Sequence, residues 1–316
     1  MVDTVVFGMC TRNEEDVVRK TIRAVRNQTH PPDHVYVCDD SDDSTPDIVR
    51  DELEGSGIPF EVFHQERYDG HGGARQELYE RARSVDPDVI CMLDANNTIG
   101  DDWLESILRF RAENPEYDVL TGPECDTGIH REAPSPHDPL YYRHAAIAFD
   151  ADLLETVGGW DPDFGRGEDW DLALRMYRAG SKVFTSTQWC SRYVAPDPPD
   201  LTRKRIARNP TSVPYLAKYG AWYLTFHPAQ VLKDLWSVCF YALFLLGLAA
   251  IPVGVGFGLL ATAVVVGCGF VLAQRRYEGD SDQPANRLER PLYMLLFTAP
   301  AVARSCRNVA DGRYRT

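Results

Sequence analysis

The stretch HVYVCDDSDDSTPDIVRDELEG, residues 34 to 55, decides the fold. It opens on a short apolar run, HVYVC, which reads as a buried strand. Two acids, Asp39 and Asp40, end that strand. Thr45 then offers a helix cap, and Pro46 suits a first helical turn, where its missing N–H leaves nothing unpaired. The chain therefore passes from strand to helix through an acidic turn. The same scheme recurs on either side. DTVVFGMCT (3–11) is a strand pattern. EEDVVRKTIRAVRNQT (14–29) places Val17, Ile22 and Val25 at helical spacing, with Asn13 as the expected cap. FEVFHQ (60–65), HGGARQELYERARSV (71–85) and DVICMLDA (88–95) repeat it. Strands and helices alternating at these lengths form right-handed βαβ units on a parallel sheet, so the expected class is α/β.

In open sheets of this kind ligands bind outside the carboxyl ends of the strands. The chemistry-bearing residues collect there: Cys10 to Glu14, then Asp39 and Asp40, then Asp94 to Asn96. Acidic strand ends sharing one crevice are costly unless a cation or a donor-rich ligand joins them. No G-x-G-x-x-G follows the first strand, and there is no G-x-x-x-x-G-K-[ST]. A dinucleotide oxidoreductase and a P-loop enzyme are both set aside.

The charge balance narrows the class further. Asp and Glu number 47 against 33 Lys and Arg, for a net charge of −14. A nucleic-acid binder is usually basic, so no nucleic-acid partner is expected. Such acidity also suits a salt-rich, haloarchaeal cytoplasm, where screening shortens the range of self-repulsion. Eight cysteines occur without a C-x-x-C pair or a zinc-like spacing. Cys10, Cys38 and Cys91 lie in strand-like runs and read as buried free thiols in a reducing compartment. The N-terminus lacks a basic region followed by an apolar one, so residues 1–200 are expected in the cytosol.

Hydrophobicity rises sharply from Leu235 to Ala273, a run without a charge. As one helix it would extend roughly 58 Å, nearly twice a bilayer's hydrocarbon core. IPVGVG breaks it. Two membrane spans are expected, near 235–251 and 257–273, within a segment 234–273. Lys233, Arg275 and Arg276 flank the pair and place both ends in the cytosol. A buried core helix pair is the alternative. Residues 201–233 are basic and then aromatic, as in an arm lying on anionic lipid, or a solvated basic helix. Residues 274–316 form a tail with a short apolar segment at 291–303.

CTRNEE, VCDDSDDSTPDIV, GGARQ, MLDAN and GGWDPDFGRGEDWDLALR occur in this order. Together they resemble a family-2 inverting glycosyltransferase of GT-A fold, over roughly residues 3–200. With the apolar hairpin, the chain is similar to members that act on lipid-linked sugars, including archaeal N-glycosylation enzymes. The resemblance implies that Glu14 and Asp40 contact the ribose or base of a nucleotide-sugar donor, with Arg12 and Asp39 beside them. It implies that Arg75 faces the nucleotide or its phosphates. Asp42 and Asp43 read instead as solvated turn acids at a helix start.

MLDAN stands where the family's D-x-D motif binds a divalent cation, Mg2+ or Mn2+, through hard oxygen ligands. Here Asp94 is followed by Asn96, an amide in place of the second acid. GRGED (165–169) aligns Asp169 with the family's catalytic base, which takes a proton from an acceptor hydroxyl. Glu168 either raises that base's pKa or caps the helix. Asp171 points elsewhere. Trp170, Leu174 and Tyr177 are expected to anchor this helix, and Trp160 and Phe164 either stack on a sugar or pack beneath the loop. His130, His137 and His144 lack ligand spacing and read as loop residues. The implied activity is sugar transfer to a polyprenyl- or dolichyl-phosphate-linked acceptor at the cytosolic membrane face, for protein glycosylation. A processive polysaccharide synthase would carry Q-x-x-R-W, which TRKRIARN (202–209) does not supply. An inactive membrane scaffold of the same fold is the other alternative.

Overall fold

The computed structural model describes residues 3–125, 145–164, 167–194, 212–249, 255, 259–260, 262–264, 266–268 and 302–311. The chain divides into two units, Met1–Pro196 and Asp197–Thr316.

The first unit is built on a seven-stranded sheet. Its strands are β1 (Val5–Thr11), β2 (His34–Asp39), β3 (Phe60–His64), β4 (Val89–Leu93), β6 (Val119–Thr121), β8 (Ala146–Asp150) and β9 (Val183–Thr185). The order is β3-β2-β1-β4-β8-β6-β9. β1 to β4 run parallel, as the alternating pattern predicts. β8 runs antiparallel between β4 and β6. That reversal was not foreseen. An apolar run of five residues does not encode its own direction. A second sheet joins β5 (Asn97–Thr98), β10 (Ser191–Tyr193) and β7 (Glu124–Cys125) in the order β5-β10-β7.

Helices cover both faces of the large sheet. On one face lie α1 (Val18–Arg26), α2 (Thr45–Leu53) and α4 (Trp103–Glu113). Ile22, Val49, Leu53, Leu104 and Ile107 pack there against Phe7, Val37 and Cys91. On the other lie α3 (Gly70–Ala82), α5 (Ala151–Val157) and α6 (Glu168–Arg178). Leu78, Leu154, Leu172 and Met176 meet Val6, Ile90 and Phe149. Strands buried on both faces read as continuous apolar runs, which is why their alternation is weak. Truncating one of these fully buried residues to alanine removes about 2–5 kcal/mol.

Local signals set the helix ends. α5 starts at Asp150, whose carboxylate accepts from the N–H groups of Asp152 and Leu153 at 3.0 and 3.3 Å. α2 starts after Ser44 with Pro46 in its first turn, one residue from the expected cap. α1 starts later than expected: its cap position is Val17, and Val18, Thr21, Ile22 and Val25 form the buried stripe. Asn13 does not cap it. It adopts a left-handed φ of 55° in the turn after β1, and its side chain accepts from the Asp42 N–H at 2.8 Å.

In the second unit, α7 (Val213–Tyr219) leads through a 3-10 turn (Gly220–Thr225) into α8 (Pro228–Ala249). Tyr215 and Tyr223 stack at 5.0 Å between ring centres. Asp234 ties the start of α7 to α8, accepting from the Ser212 backbone N–H and hydroxyl at 2.6 and 2.7 Å. Among the described residues α8 is the one helix long and apolar enough to cross a membrane, over Gln230–Ala249. It starts before the expected position 235. Of the expected second span, only 259–260, 262–264 and 266–268 are described. Two of their contacts with α8 are the hydrogen bond that Trp236 donates to the Val266 carbonyl at 2.9 Å and the approach of Gly247 to Leu260. The basic stretch 202–209 and most of 291–303 lie outside the described residues, as do His130, His137 and His144.

Candidate active site

The carboxyl ends of β1, β2 and β4 meet on one edge of the sheet, and the start of α6 joins them through one side chain. Arg75, on the second turn of α3, is buried. Its guanidinium donates to the Glu168 carboxylate at 2.6 Å and to Asp94 at 3.3 Å. α3 reaches this place because Gly72 lies directly against the Asp161 and Phe164 carbonyls, where a Cβ would collide. That contact brings the loop before α6 onto the start of α3. GGARQ and GRGED are separate in sequence, and the Arg75–Glu168 ion pair joins them in the structure.

The three acids of α6 have three different roles. Asp171 is fully buried and accepts from the Arg175 guanidinium at 2.8 Å. Arg175 also donates to the Val157 and Gly159 carbonyls at 2.7 and 2.6 Å, which fastens the glycine-rich loop to α6. Glu168 is buried and holds Arg75. Asp169 is partly buried at the edge of the site and accepts from the Trp170 N–H at 2.8 Å. Burial pushes its carboxyl up, Glu168 pushes it further, and Arg75 opposes them, leaving it at about 6. A charge leaving water and a like charge beside it both favour the neutral acid.

Arg75 is the electrostatic counterpart. Burial disfavours its charge, but Glu168 and then Asp94 outweigh that and hold the guanidinium above its ordinary value. Asp94 is displaced upward. Burial is the main cause, Arg75 opposes it, and Asp169 and Glu124 add to it.

At the β1 and β2 ends the acids divide. Asp39 is buried and accepts from the Thr11 hydroxyl at 2.5 Å, the Ser41 hydroxyl at 2.8 Å and the Ser41 N–H at 3.1 Å. It holds the turn together. Asp40 is 42% exposed and pairs with Arg12 at 3.3 Å, with His64 at 3.8 Å. Asp43 accepts from the Thr45 N–H at 2.9 Å and from the Thr45 hydroxyl at 2.5 Å, in the turn that leads into α2. Glu14 receives a hydrogen bond from the Asn96 amide at 3.4 Å, which links the β1 end to the β4 end. The Asn96 carbonyl oxygen accepts from Asn97 at 3.1 Å.

Asp94 and Asn96 can hold a divalent cation. The Asp94 carboxyl is 42% exposed, with one oxygen engaged by Arg75. Among the described residues no three His, Cys, Asp or Glu side chains converge as a metal cage.

One open alternative is resolved and one expected role is corrected. Trp160 and Phe164 are 1% and 0% exposed, so they pack beneath the loop. Trp160 lies edge-on to Phe149 at 5.7 Å. Trp170 and Tyr177 are exposed and do not anchor α6; Leu172, Ala173, Leu174 and Met176 do. Two residues at the site were missed. Glu124 stands in β7, which the small sheet carries toward the β4 end through β10 and β5. His71 lies 3.9 Å from Glu168. His71 immediately precedes GGARQ, so the sequence marks its place at the site. Glu124 has no local signal.

A model of the family described as "Glycosyl transferase family 2" matches residues 7–152. Among curated proteins, the pre-mycofactocin glycosyltransferase of Mycobacterium tuberculosis is 28% identical over 193 residues, covering 54% of this chain and 38% of that protein. The probable glycosyltransferase YdaM of Bacillus subtilis is 28% identical over 194 residues, covering 54% of this chain and 46% of that protein. The chain thus spans less than half the length of these relatives. Among solved structures, the mannosyltransferase PcManGT of Pyrobaculum calidifontis in complex with GDP-Man and Mn2+ aligns with a TM-score of 0.56 and 17% identity, covering 95% of this chain and 87% of that one. S. aureus TarS 1-349 in complex with UDP-GlcNAc aligns at 0.54 and 15%, covering 73% of this chain and 75% of that one. These likenesses show the GT-A fold.

Proposed function

We propose, for a chain that carries family 2 glycosyltransferase sequence on a GT-A fold, that it transfers a sugar with inversion from a nucleotide-sugar donor to a lipid-linked acceptor. The observation that carries this reading is the joined set of Arg75, Glu168, Asp94 and Asp169 at the strand ends, with Asp169 at about 6. A carboxyl tuned to that value holds a proton loosely near neutrality, as a general base needs.

Asp169 takes the proton from the attacking acceptor oxygen. That oxygen bonds to the anomeric carbon from the face opposite the leaving group. The bond between that carbon and the diphosphate oxygen breaks, and the nucleoside diphosphate leaves with the electron pair. Arg75 faces the developing negative charge, held in place by Glu168. Glu14, Asp40 and Arg12 contact the nucleotide, and Asp39 supports them by fixing the turn. Asp94 and Asn96 would hold Mg2+ or Mn2+, which supplies charge neutralisation to the diphosphate. The mannosyltransferase and TarS structures, with GDP-Man and Mn2+ or with UDP-GlcNAc, support this donor chemistry.

α8 supports membrane attachment through one candidate span, Gln230–Ala249; a second span and a cytosolic first unit belong to the proposal. Leu232, Leu235, Leu245 and Leu246 are exposed on α8, as lipid-facing side chains would be. Should the source be a salt-adapted archaeon, which the acidic composition suits, the family resemblance makes protein glycosylation the pathway. The test is a thermal shift with UDP- and GDP-sugars, with and without Mn2+ or Mg2+. One donor is expected to raise Tm only when the metal is present. A folded protein that no donor shifts would refute the reading.

A further inference from the structure

Cys10 and Cys38 stand directly opposite each other near the carboxyl ends of β1 and β2. Both are free thiols. Side chains alternate between the faces of a strand, and these two share the face that α3 covers. Cys38 belongs to the apolar cluster of Ala74 and Leu78, and Cys10 packs at its edge. The two differ in access: Cys38 is buried, whereas Cys10 is partly exposed. The Cys38 thiol donates a hydrogen bond to the Cys10 sulfur, and that bond, then burial, holds it above its ordinary value.

Cys10 also faces the start of α3. Gly8, two residues earlier on the same face, lies against Leu78. Two strand residues advance roughly 6.6 Å, the rise of about four helical residues. That step leads from Leu78 back to Ala74, beside Arg75. Burial disfavours the Arg75 charge, and Glu168, Asp94 and then Cys10 favour it. The residues that follow the two cysteines are joined as well, because the Thr11 hydroxyl donates to Asp39 at 2.5 Å.

A partly exposed thiol near a cation, with a second thiol in contact, is the arrangement in which oxidation of the first is resolved by the second. We infer that Cys10 and Cys38 form a dithiol site that hydrogen peroxide converts to a disulfide, and that the disulfide releases the nucleotide-sugar donor. The effect on the donor rests on the glycosyltransferase reading; the thiol chemistry does not. In a reducing cytosol the pair rests as two thiols. On oxidation the Cys10 sulfur takes one oxygen of the peroxide, the O–O bond breaks, and the other oxygen leaves as water. The Cys38 sulfur then gives up its proton and bonds to the Cys10 sulfur. The S–O bond breaks and that oxygen leaves as a second water. The two thiols lose two electrons and two protons, and the peroxide takes both.

Closure draws the strand ends together. Neighbouring strands stand about 4.8 Å apart, whereas the Cβ atoms of a disulfide average about 3.8 Å. The adjustment falls on Thr11 and Asp39, next in each strand, and on Arg12 and Asp40 beyond them, which pair at 3.3 Å. Arg12 and Asp40 are residues that the proposed function gives to the nucleotide. A bridge that has to pull two strands together is readily reduced, so the effect reverses once the oxidant is gone.

The test uses the full chain in detergent, reduced and then treated with hydrogen peroxide. Digestion and mass analysis are expected to show a peptide linked through Cys10 and Cys38 that dithiothreitol abolishes. The metal-dependent Tm shift given by a donor is expected to be lost on oxidation and restored by dithiothreitol. Cys38→Ala removes the resolving thiol, so peroxide with dimedone is expected to label Cys10 in that variant. Cys10→Ala is expected to show no label at Cys38. Oxidised wild type without the linked peptide would overturn the inference. So would a linked protein whose donor shift is unchanged, or a dimedone label on Cys38 in Cys10→Ala. Absence of any donor shift in the reduced protein would refute the glycosyltransferase reading, while the linked peptide would still decide the thiol chemistry.

Discussion

At the residue scale the account turns on how Glu168, Asp169 and Asp171 are distinguished. Adjacent acids at a helix start would be equivalent if they only complemented the helix dipole. Here Glu168 holds Arg75, Asp171 holds Arg175, and Asp169 stands at the edge with its pKa at about 6. The rate should therefore rise with pH through about 6 as Asp169 ionises, which a kcat/KM profile will read. Stability should move the other way. A raised carboxyl pKa means the folded state holds the proton more tightly, so stability falls as pH rises from the ordinary value of 3.8 through about 6. Asp169→Asn removes that penalty. Its Tm is expected to exceed wild type by a few degrees at pH 8, with the difference gone near pH 4. Asn96→Asp restores a second charged oxygen beside Asp94 and should lower the concentration of Mn2+ giving half-maximal donor binding by roughly an order of magnitude. The cost of placing another carboxylate beside Asp94 and Glu14 acts against this, so titration of both proteins decides it.

At the scale of elements, the site depends on the fastening of α6 to the loop before it and to α3. Arg175 joins Asp171, Val157 and Gly159 in one network. Removing one partner of a buried ion pair leaves the other charge uncompensated and costs about 3–5 kcal/mol. Arg175→Ala should lower stability by that order in a denaturant titration, with activity falling as the loop loosens. The strand and helix alternation was legible because buried strands and capped helices have distinct periods: β1 to β4 and α2 lie where the pattern put them. α1 was placed too early because Asn13 resembles a cap in sequence but takes part in the turn that joins β1 to Ser41 and Asp42. The buried face of α6 was misjudged because Trp170 and Tyr177 are large and apolar, and size drew the stripe away from Leu172, Ala173 and Met176. β5, β7 and β10 are two or three residues long, too short for any period, so Glu124 could not be placed beside Asp94 from sequence.

At the scale of the whole molecule, the chain has two units of different character. The first carries two apolar layers around its sheet and should fold alone. A protein ending near Arg205 is expected to be soluble and monodisperse, while the full chain requires detergent for extraction from membranes. A full chain that remains in the supernatant after ultracentrifugation would remove the membrane attachment but leave the catalytic proposal in place. Motifs that lie far apart in sequence are joined pairwise at the strand ends, Thr11 with Asp39, Glu14 with Asn96, and Arg75 with both Asp94 and Glu168.

The central claim is that Asp169 is the base of a nucleotide-sugar site, and one paired measurement tests it most directly. Donor affinity and transfer rate are measured for wild type and Asp169→Asn at pH 7.5 with the same metal and donor. The account predicts donor affinity within about threefold of wild type and a transfer rate lower by about 10²–10⁴-fold. Near-normal transfer by a folded Asp169→Asn enzyme would contradict it.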